Sequence, residues 1–312
     1  SRISSRAMEV MGMSKAIEYT YFPGCMIPFR LPHFELTMRE VLRHLNIELV
    51  AEEGHSCCPE PTTFTGVDFE AWLTVGARNI AVSESTGRDT MALCSGCFHT
   101  LAMVGHTLQS DSKTRERINK RLKRIGMEAT GDVTVKNILH VLHEDVGLDK
   151  IRKSIVQPLK GISIAAHYGC HLVRPIEATH MDDAEDPMWM EDLIEVTGAK
   201  PVDYPDKMAC CGAPISPSDE PKSFVLTAEK LRKIRDAGAD AIVLVCPTCY
   251  TQMEMQQKKA IEHLGPEFSL PVLYLGEMMA LAMGMSELVV TNARRYHRVK
   301  LQPLLEKMGV GK

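Results

Sequence analysis

The 312-residue sequence predicts an α/β fold: two repeated small parallel-sheet domains in a pseudo-twofold arrangement. Three observations lead there. Five cysteines recur as a set: Cys25, the pair Cys57-Cys58 and Cys94-Ser95-Gly96-Cys97 return as Cys170, Cys210-Cys211 and Cys246-Pro247-Thr248-Cys249. The offset between the copies is 145 to 153 residues, an internal repeat. Within each copy, short β-prone runs alternate with stretches of helical periodicity, as expected of strands joined by crossover helices.

The elements follow in order. Residues 17–22 alternate as a strand, stopped by Pro23-Gly24 just before Cys25. Phe34, Met38, Val41, Leu42 and Leu45 recur at helical spacing over 33–45. Ile47 to Val50 reads as a strand leading to Cys57-Cys58, with Pro59 and Pro61 holding the next stretch as loop. Asp68 caps a helix of about 18 residues that ends near Gly87. Thr90 to Leu93 is a strand that delivers Cys94, and Gly96 allows the tight turn inside the CxxC, with a helix from about Phe98. Residues 111–126 are rich in Lys and Arg and read as a solvated helix face, or else a docking surface; Val133 to Val135 is a strand and 136–146 a helix. The pattern then restarts. Ile162 to Ala166, Lys200 to Tyr204, Ala241 to Val245 and Pro271 to Leu275 are strands; Pro187 to Thr197, 219–237, the stretch up to about Leu264, and 277–284 are helices. Residues 1–16 are expected to be an extension, with Met11 or Met13 as a natural start. The first domain is expected to span 17–150, and the second 151–312, including a solvated basic tail with Arg294, Arg295, Arg298 and Lys300.

A net charge of -4 argues neither for nucleic acid nor for an anionic membrane surface as partner, and neither is expected. No run of 18 apolar residues and no signal-peptide core is present, so the expectation is a cytoplasmic protein without a membrane span. In a reducing cytosol, ten cysteines point to metal or redox chemistry rather than disulfides. All ten belong to the two arrays. Zinc takes four ligands, so a fifth cysteine is superfluous for one ion. Adjacent cysteines, with Cα atoms about 3.8 Å apart, also fit poorly around a small ion. A multi-iron cluster can use both, so iron–sulfur is the leading reading, with zinc and reactive dithiols as the others. In each copy the ligands are scattered over 70–80 residues, so cluster and fold would be coupled.

One cysteine, a Cys-Cys pair and a CxxC, present twice, is the signature of CCG (cysteine-rich) domains. Within that group the chain, from about Ile17 with its Tyr-Phe-Pro-Gly-Cys opening, resembles the B subunit of the heterodisulfide reductases of methanogens. One departure is Cys57-Cys58-Pro59 where the second copy reads Cys210-Cys211-Gly212, since proline has no N–H to offer a cluster sulfide. The resemblance implies two noncubane four-iron clusters. Cys25, Cys57, Cys58, Cys94 and Cys97 would hold one; Cys170, Cys210, Cys211, Cys246 and Cys249 would hold the other. It implies reduction of the coenzyme M–coenzyme B heterodisulfide, held between the clusters. The implied partners are the ferredoxin-like C subunit and the flavin-bearing A subunit of such a complex, with a hydrogenase or formate dehydrogenase further out.

Such a substrate carries a sulfonate, a phosphate and a carboxylate, so cations are expected near the arrays. Arg30 follows Cys25 by five residues, Arg174 follows Cys170 by four, and Lys207 precedes Cys210 by three. His55, His99, His167 and His171 are the candidate proton donors or hydrogen-bond partners of the ligands. Asp182, Asp183, Glu185 and Asp186 read as a solvated acidic loop. The competing functions are a CCG-domain electron-transfer subunit of a lactate- or glycolate-oxidising system, without a substrate of its own, and a zinc-binding assembly module.

Overall fold

The computed structural model describes residues 15–265 and 267–310. The expected extension at 1–16 therefore lies almost wholly outside the described residues. The chain folds around two four-stranded parallel sheets. The first contains β1 (Ile17–Phe22), β2 (Ile47–Ala51), β3 (Thr90–Ala92) and β4 (Val135–Asn137) in the order β2-β1-β3-β4. The second contains β5 (Ser163–His167), β6 (Lys200–Val202), β7 (Ala241–Leu244) and β8 (Val272–Tyr274) in the order β6-β5-β7-β8. The repeat read from the cysteines is thus a repeat of topology. In each sheet the order reverses at the central pair, β1/β3 and β5/β7, and open parallel sheets bind ligands in the crevice beyond the strand ends at that point.

The central strands are buried on both faces, as crossover helices on both sides require: Ala241–Leu244 is inaccessible throughout. One apolar core runs through both halves. The helix Leu275–Ala282, after β8, packs on the first half's helix Pro32–His44. A Cβ at Gly276 would stand 3.2 Å from the Met38 nitrogen, so glycine lets these two backbones approach. Across the reciprocal contact, the His140 ring nitrogen Nε2, just after β4, lies 3.1 Å from the Thr179 carbonyl.

Three expectations change. Pro59 and Pro61 do not keep their segment irregular: Pro61–Val67 is a helix. Pro61 stands at its first turn, where a missing N–H costs nothing, and the Glu60 carboxylate accepts from Thr62 N and Thr63 N. The C-terminal segment is folded rather than a free tail, although its Arg294, Arg295, Arg298 and Lys300 are exposed as expected. Helices Ser286–Tyr296 and Gln302–Lys307 fold back, burying Val289, Leu301, Leu304 and Leu305. The fourth strand begins two residues later than its β-branched run suggests, at Val135, where its register with Thr90 is set.

Candidate functional site

Every cysteine group stands past the C-terminal end of a strand. Cys25 follows β1 through Pro23-Gly24 and starts the helix Met26–Arg30. Cys94 follows β3 and is the N-cap of the helix Ser95–Ser110, which places Cys97 in its first turn. Cys57 and Cys58 lie on the loop after β2. In the second half Cys170 follows β5, the loop after β6 carries Cys210 and Cys211, and Cys246 caps the helix Pro247–Tyr250. Gly24 has a φ of +65°, and a Cβ there would come within 2.7 Å of Cys97 Sγ. Glycine is therefore the residue that lets the strand end lie against that sulfur. Gly169 occupies the matching place at φ +77°, with its nearest neighbour, Cys249 Sγ, at 3.5 Å.

All ten thiols are free. Cys25 Sγ and Cys57 Sγ are 3.9 Å apart. Sulfurs so close compete for protons. Hydrogen bonds from Cys57 and Cys97 pull the Cys58 thiol down, while the same bonds push Cys57 and Cys97 up. In the second array hydrogen bonding to Cys170 lowers Cys210, hydrogen bonding to Cys210 raises Cys170, and Cys249 lowers Cys246 to about 6. Such a set ionises together only around a cation.

The two arrays open on one cavity of about 290 Å³, whose wall includes Cys25, Cys57, Cys58, Cys94 and Cys97 from the first half and Cys170, Cys211, Cys246 and Cys249 from the second. Met26, Ile27, Pro61, Ala213 and Pro214 supply apolar wall between them. The halves are fastened at this point. The Tyr274 hydroxyl donates to the carbonyl of Leu93, just before Cys94, and lies 3.0 Å from that of Val245, just before Cys246. Ser95 N also donates to Val245 O. Tyr274 is buried at the end of β8 and stacks on Phe34, with ring centroids 3.7 Å apart.

The loops carrying the vicinal pairs are tied down from the helices behind them. Asn79 accepts from Ser56 N and donates to the Cys57 carbonyl. In the second half this task falls to Lys230, which is buried and donates to the carbonyls of Asp206, Lys207 and Ala209. Burial lowers its pKa to about 8, against the raising effect of nearby cysteine sulfurs. Sequence reasoning missed Lys230, because a lysine within a charged helix carries no local sign of being turned inward. The two vicinal pairs also leave differently. Gly212, at φ +96°, donates its N–H to Cys210 Sγ at 3.4 Å, and a Cβ there would meet the Ser223 carbonyl at 2.5 Å. Pro59 cannot donate; its carbonyl accepts instead from Thr100 Oγ1.

Of the histidines, His171 lines the cavity, with Nε2 3.1 Å from Thr62 Oγ1 across the two halves, and His99 packs edge-on behind it. His167 is fully buried, with a ring nitrogen within 4.8 Å of the Cys211 and Cys249 sulfurs and no hydrogen-bond partner. His55 turns away, to Ser83 Oγ. Arg30, Arg174 and Lys207 do not line the cavity. Arg174 pairs with Glu185, and Lys207 with Asp186 and Glu191. The acidic run is an exposed loop, as expected; its Glu185 and Asp186 meet these two cations, and Asp182 accepts from Trp189 N at the start of the next helix. Arg30 is exposed and, among the described residues, has no ion pair. The basic helix Ser112–Leu122 is largely solvated, with Arg117 and Arg121 paired to Glu70. Among the described residues no helix is long and apolar enough to cross a membrane.

Known proteins agree with this architecture. The cysteine-rich domain model matches residues 19–102 and again 164–254. The chain is 38% identical over 267 residues to the B subunit of the ferredoxin/F420H2-dependent CoB-CoM heterodisulfide reductase of Methanosarcina acetivorans, covering 85% of this chain and 89% of that one. It is 27% identical to the membrane anchor subunit of the 8-methylmenaquinol:fumarate reductase of Wolinella succinogenes, covering 86% and 92%. A hypothetical protein from Helicobacter pylori shares the fold, with a TM-score of 0.71 at 12% identity over 92% of this chain and 53% of that one. With two cysteine-rich domains, and this likeness along most of its length, the chain belongs to the cysteine-rich domain family, in the group of the heterodisulfide reductase B subunits.

Proposed function

We propose that this chain is the disulfide-reducing subunit of a heterodisulfide reductase. It would act on the mixed disulfide of coenzyme M and coenzyme B at two cysteine-held iron–sulfur clusters. The observation that carries the reading is the single cavity walled by both arrays. The donor set fits clusters. Ten free thiols converge in two groups of five, glycines at 24 and 169 leave the sulfurs room, and cysteine sulfur is the ligand type of iron–sulfur centres. Cys25, Cys57, Cys58, Cys94 and Cys97 would hold one cluster, of the noncubane four-iron type, and Cys170, Cys210, Cys211, Cys246 and Cys249 the other.

Clusters held there would supply the two electrons that cleavage of an S–S bond takes up. With two protons these yield two thiols, so atoms and charge balance. The chain's own residues do the rest. The apolar wall formed by Met26, Ile27, Pro61 and Pro214 would hold the aliphatic thiol arms. His171, held by Thr62, is the histidine on the wall and would hand a proton to a departing thiolate. Of the three cations expected to meet the substrate's anionic groups, Arg30 has its guanidinium uncommitted; Arg174 and Lys207 would have to leave their carboxylates. Electrons would come from a ferredoxin-like C subunit and a flavin-bearing A subunit, fed by a hydrogenase or formate dehydrogenase.

The likeness to a fumarate reductase subunit favours one second reading, an electron-transfer subunit with no substrate of its own. The test is oxidation of reduced viologen by the intact complex with the heterodisulfide, after anaerobic iron and sulfide analysis. Turnover with about eight irons per chain supports the first reading. A complex with both clusters and no turnover leaves the second, and zinc without iron removes both.

A further inference from the structure

A second group of ligand-type side chains lies in the core, away from the cysteines. His33 from the helix Pro32–His44, Glu277 from the helix after β8, and His297 from the C-terminal segment each offer one atom, all within 4.8 Å of one another. Glu277 Oε1 is 2.9 Å from His297 Nε2. The other His297 nitrogen, Nδ1, lies 3.6 Å from Glu254 Oε1. The side chains of His297, Glu254 and Glu277 are 2% exposed or less. His33 is fully buried, and neither of its ring nitrogens has a hydrogen-bond partner. The buried Tyr250 hydroxyl is also unpartnered, and its ring lies within 6.0 Å of both imidazoles.

These facts are hard to explain as packing. An unpaired buried polar group costs about 1–3 kcal/mol, and His33 has two such nitrogens. Two buried carboxylates around one imidazolium also leave an unbalanced negative charge. We infer that His33, Glu277 and His297 form a site for a divalent transition metal, zinc by preference. Two imidazoles and a carboxylate suit that ion. Glu254 would accept from His297 Nδ1–H and orient the ring that binds through Nε2, as an outer carboxylate does for ligating histidines. The fourth position would go to the Tyr250 hydroxyl or a water. A tetrahedral ion with bonds of about 2.0–2.1 Å holds its ligand atoms about 3.3 Å apart, so His33 closes on the pair by an ångström or so. The bound dication would balance both carboxylates. It would also join the first half's helix Pro32–His44 to the helix after β8 and to the C-terminal segment, and so stitch the two halves together.

The proposal is independent of what the cysteines hold, and its readout is separate. The chain is prepared anaerobically with zinc present, and iron and zinc are determined together. About one zinc per chain is expected beyond the iron, falling about tenfold or more in Glu277→Gln and His33→Ala while iron stays unchanged. Full iron with no zinc overturns the site, as does zinc retained in both variants. If the variants fail to fold, Co²⁺ in the wild-type chain decides. A tetrahedral cobalt spectrum without sulfur-to-cobalt charge transfer supports His/Glu ligation, and one with that charge transfer assigns the ion to the cysteines and overturns the proposal.

Discussion

Replacing Gly24 by alanine tests how tightly the strand end is fitted to the first array. Two costs add. A non-glycine residue in the left-handed region costs roughly 1–2 kcal/mol, and Gly24 sits at φ +65°. The new methyl would also lie 2.7 Å from Cys97 Sγ, well inside contact distance. Cys97 is buried in the first turn of its helix and has nowhere to retreat, so overpacking adds about 1–3 kcal/mol. Gly169→Ala is the control. Its φ of +77° carries the same backbone cost, but its Cβ would stand 3.5 Å from Cys249 Sγ, an ordinary contact. Iron and sulfide per chain, measured anaerobically with thermal unfolding on the same samples, separate the two. Gly24→Ala should lose about half the iron and be less stable than Gly169→Ala by about 1–3 kcal/mol. Gly169→Ala should keep its full complement. Equal iron in both variants would refute the argument that Gly24 makes room for the Cys97 sulfur.

Removing one member of a vicinal pair, Cys58→Ala or Cys211→Ala, should abolish one cluster's spectrum and leave the other. Two surviving, unchanged spectra would mean that the pair does not supply two ligands. Tyr274→Phe removes the hydroxyl that lies against Leu93 O and Val245 O, and should cost about 1–3 kcal/mol in denaturant unfolding. A neutral result would show that the two CxxC turns are held together by other contacts. His140 is buried, with burial lowering its pKa to about 4 from 6.5. The unfolded chain therefore takes up its proton first as the pH falls, so stability is lost between pH 6.5 and 4, by up to about 3 kcal/mol from this group. His140→Gln should flatten the acid limb of an unfolding-versus-pH curve by that amount. An unchanged slope would place the acid sensitivity in other buried histidines.

Much of this protein is legible along the chain. The cysteine spacing reveals the duplication, and β-prone runs ending shortly before each cysteine group give the strand positions to within a few residues, because both signals are local. Parallel sheets buried on both faces demand such apolar runs, so Ala241–Leu244 announces itself. What the tertiary structure alone decided involves partners far apart in sequence, where no periodicity operates. Pro61 is the local exception: it reads as a helix breaker, yet it begins a helix that the neighbouring Glu60 caps. Arg174 and Lys207 are cations near cysteines, yet their charges are met by Glu185, Asp186 and Glu191. Lys230 looks like surface and is turned inward, because three carbonyls of the loop before Cys210 need a donor. The C-terminal basic residues suggest a tail, but the apolar Val289, Leu301 and Leu304 among them bury themselves and carry His297 to Glu277. Above all, the sequence supplies two arrays, while the packing of one half on the other, through Tyr274 and the carbonyls of Leu93 and Val245, makes them the walls of one cavity.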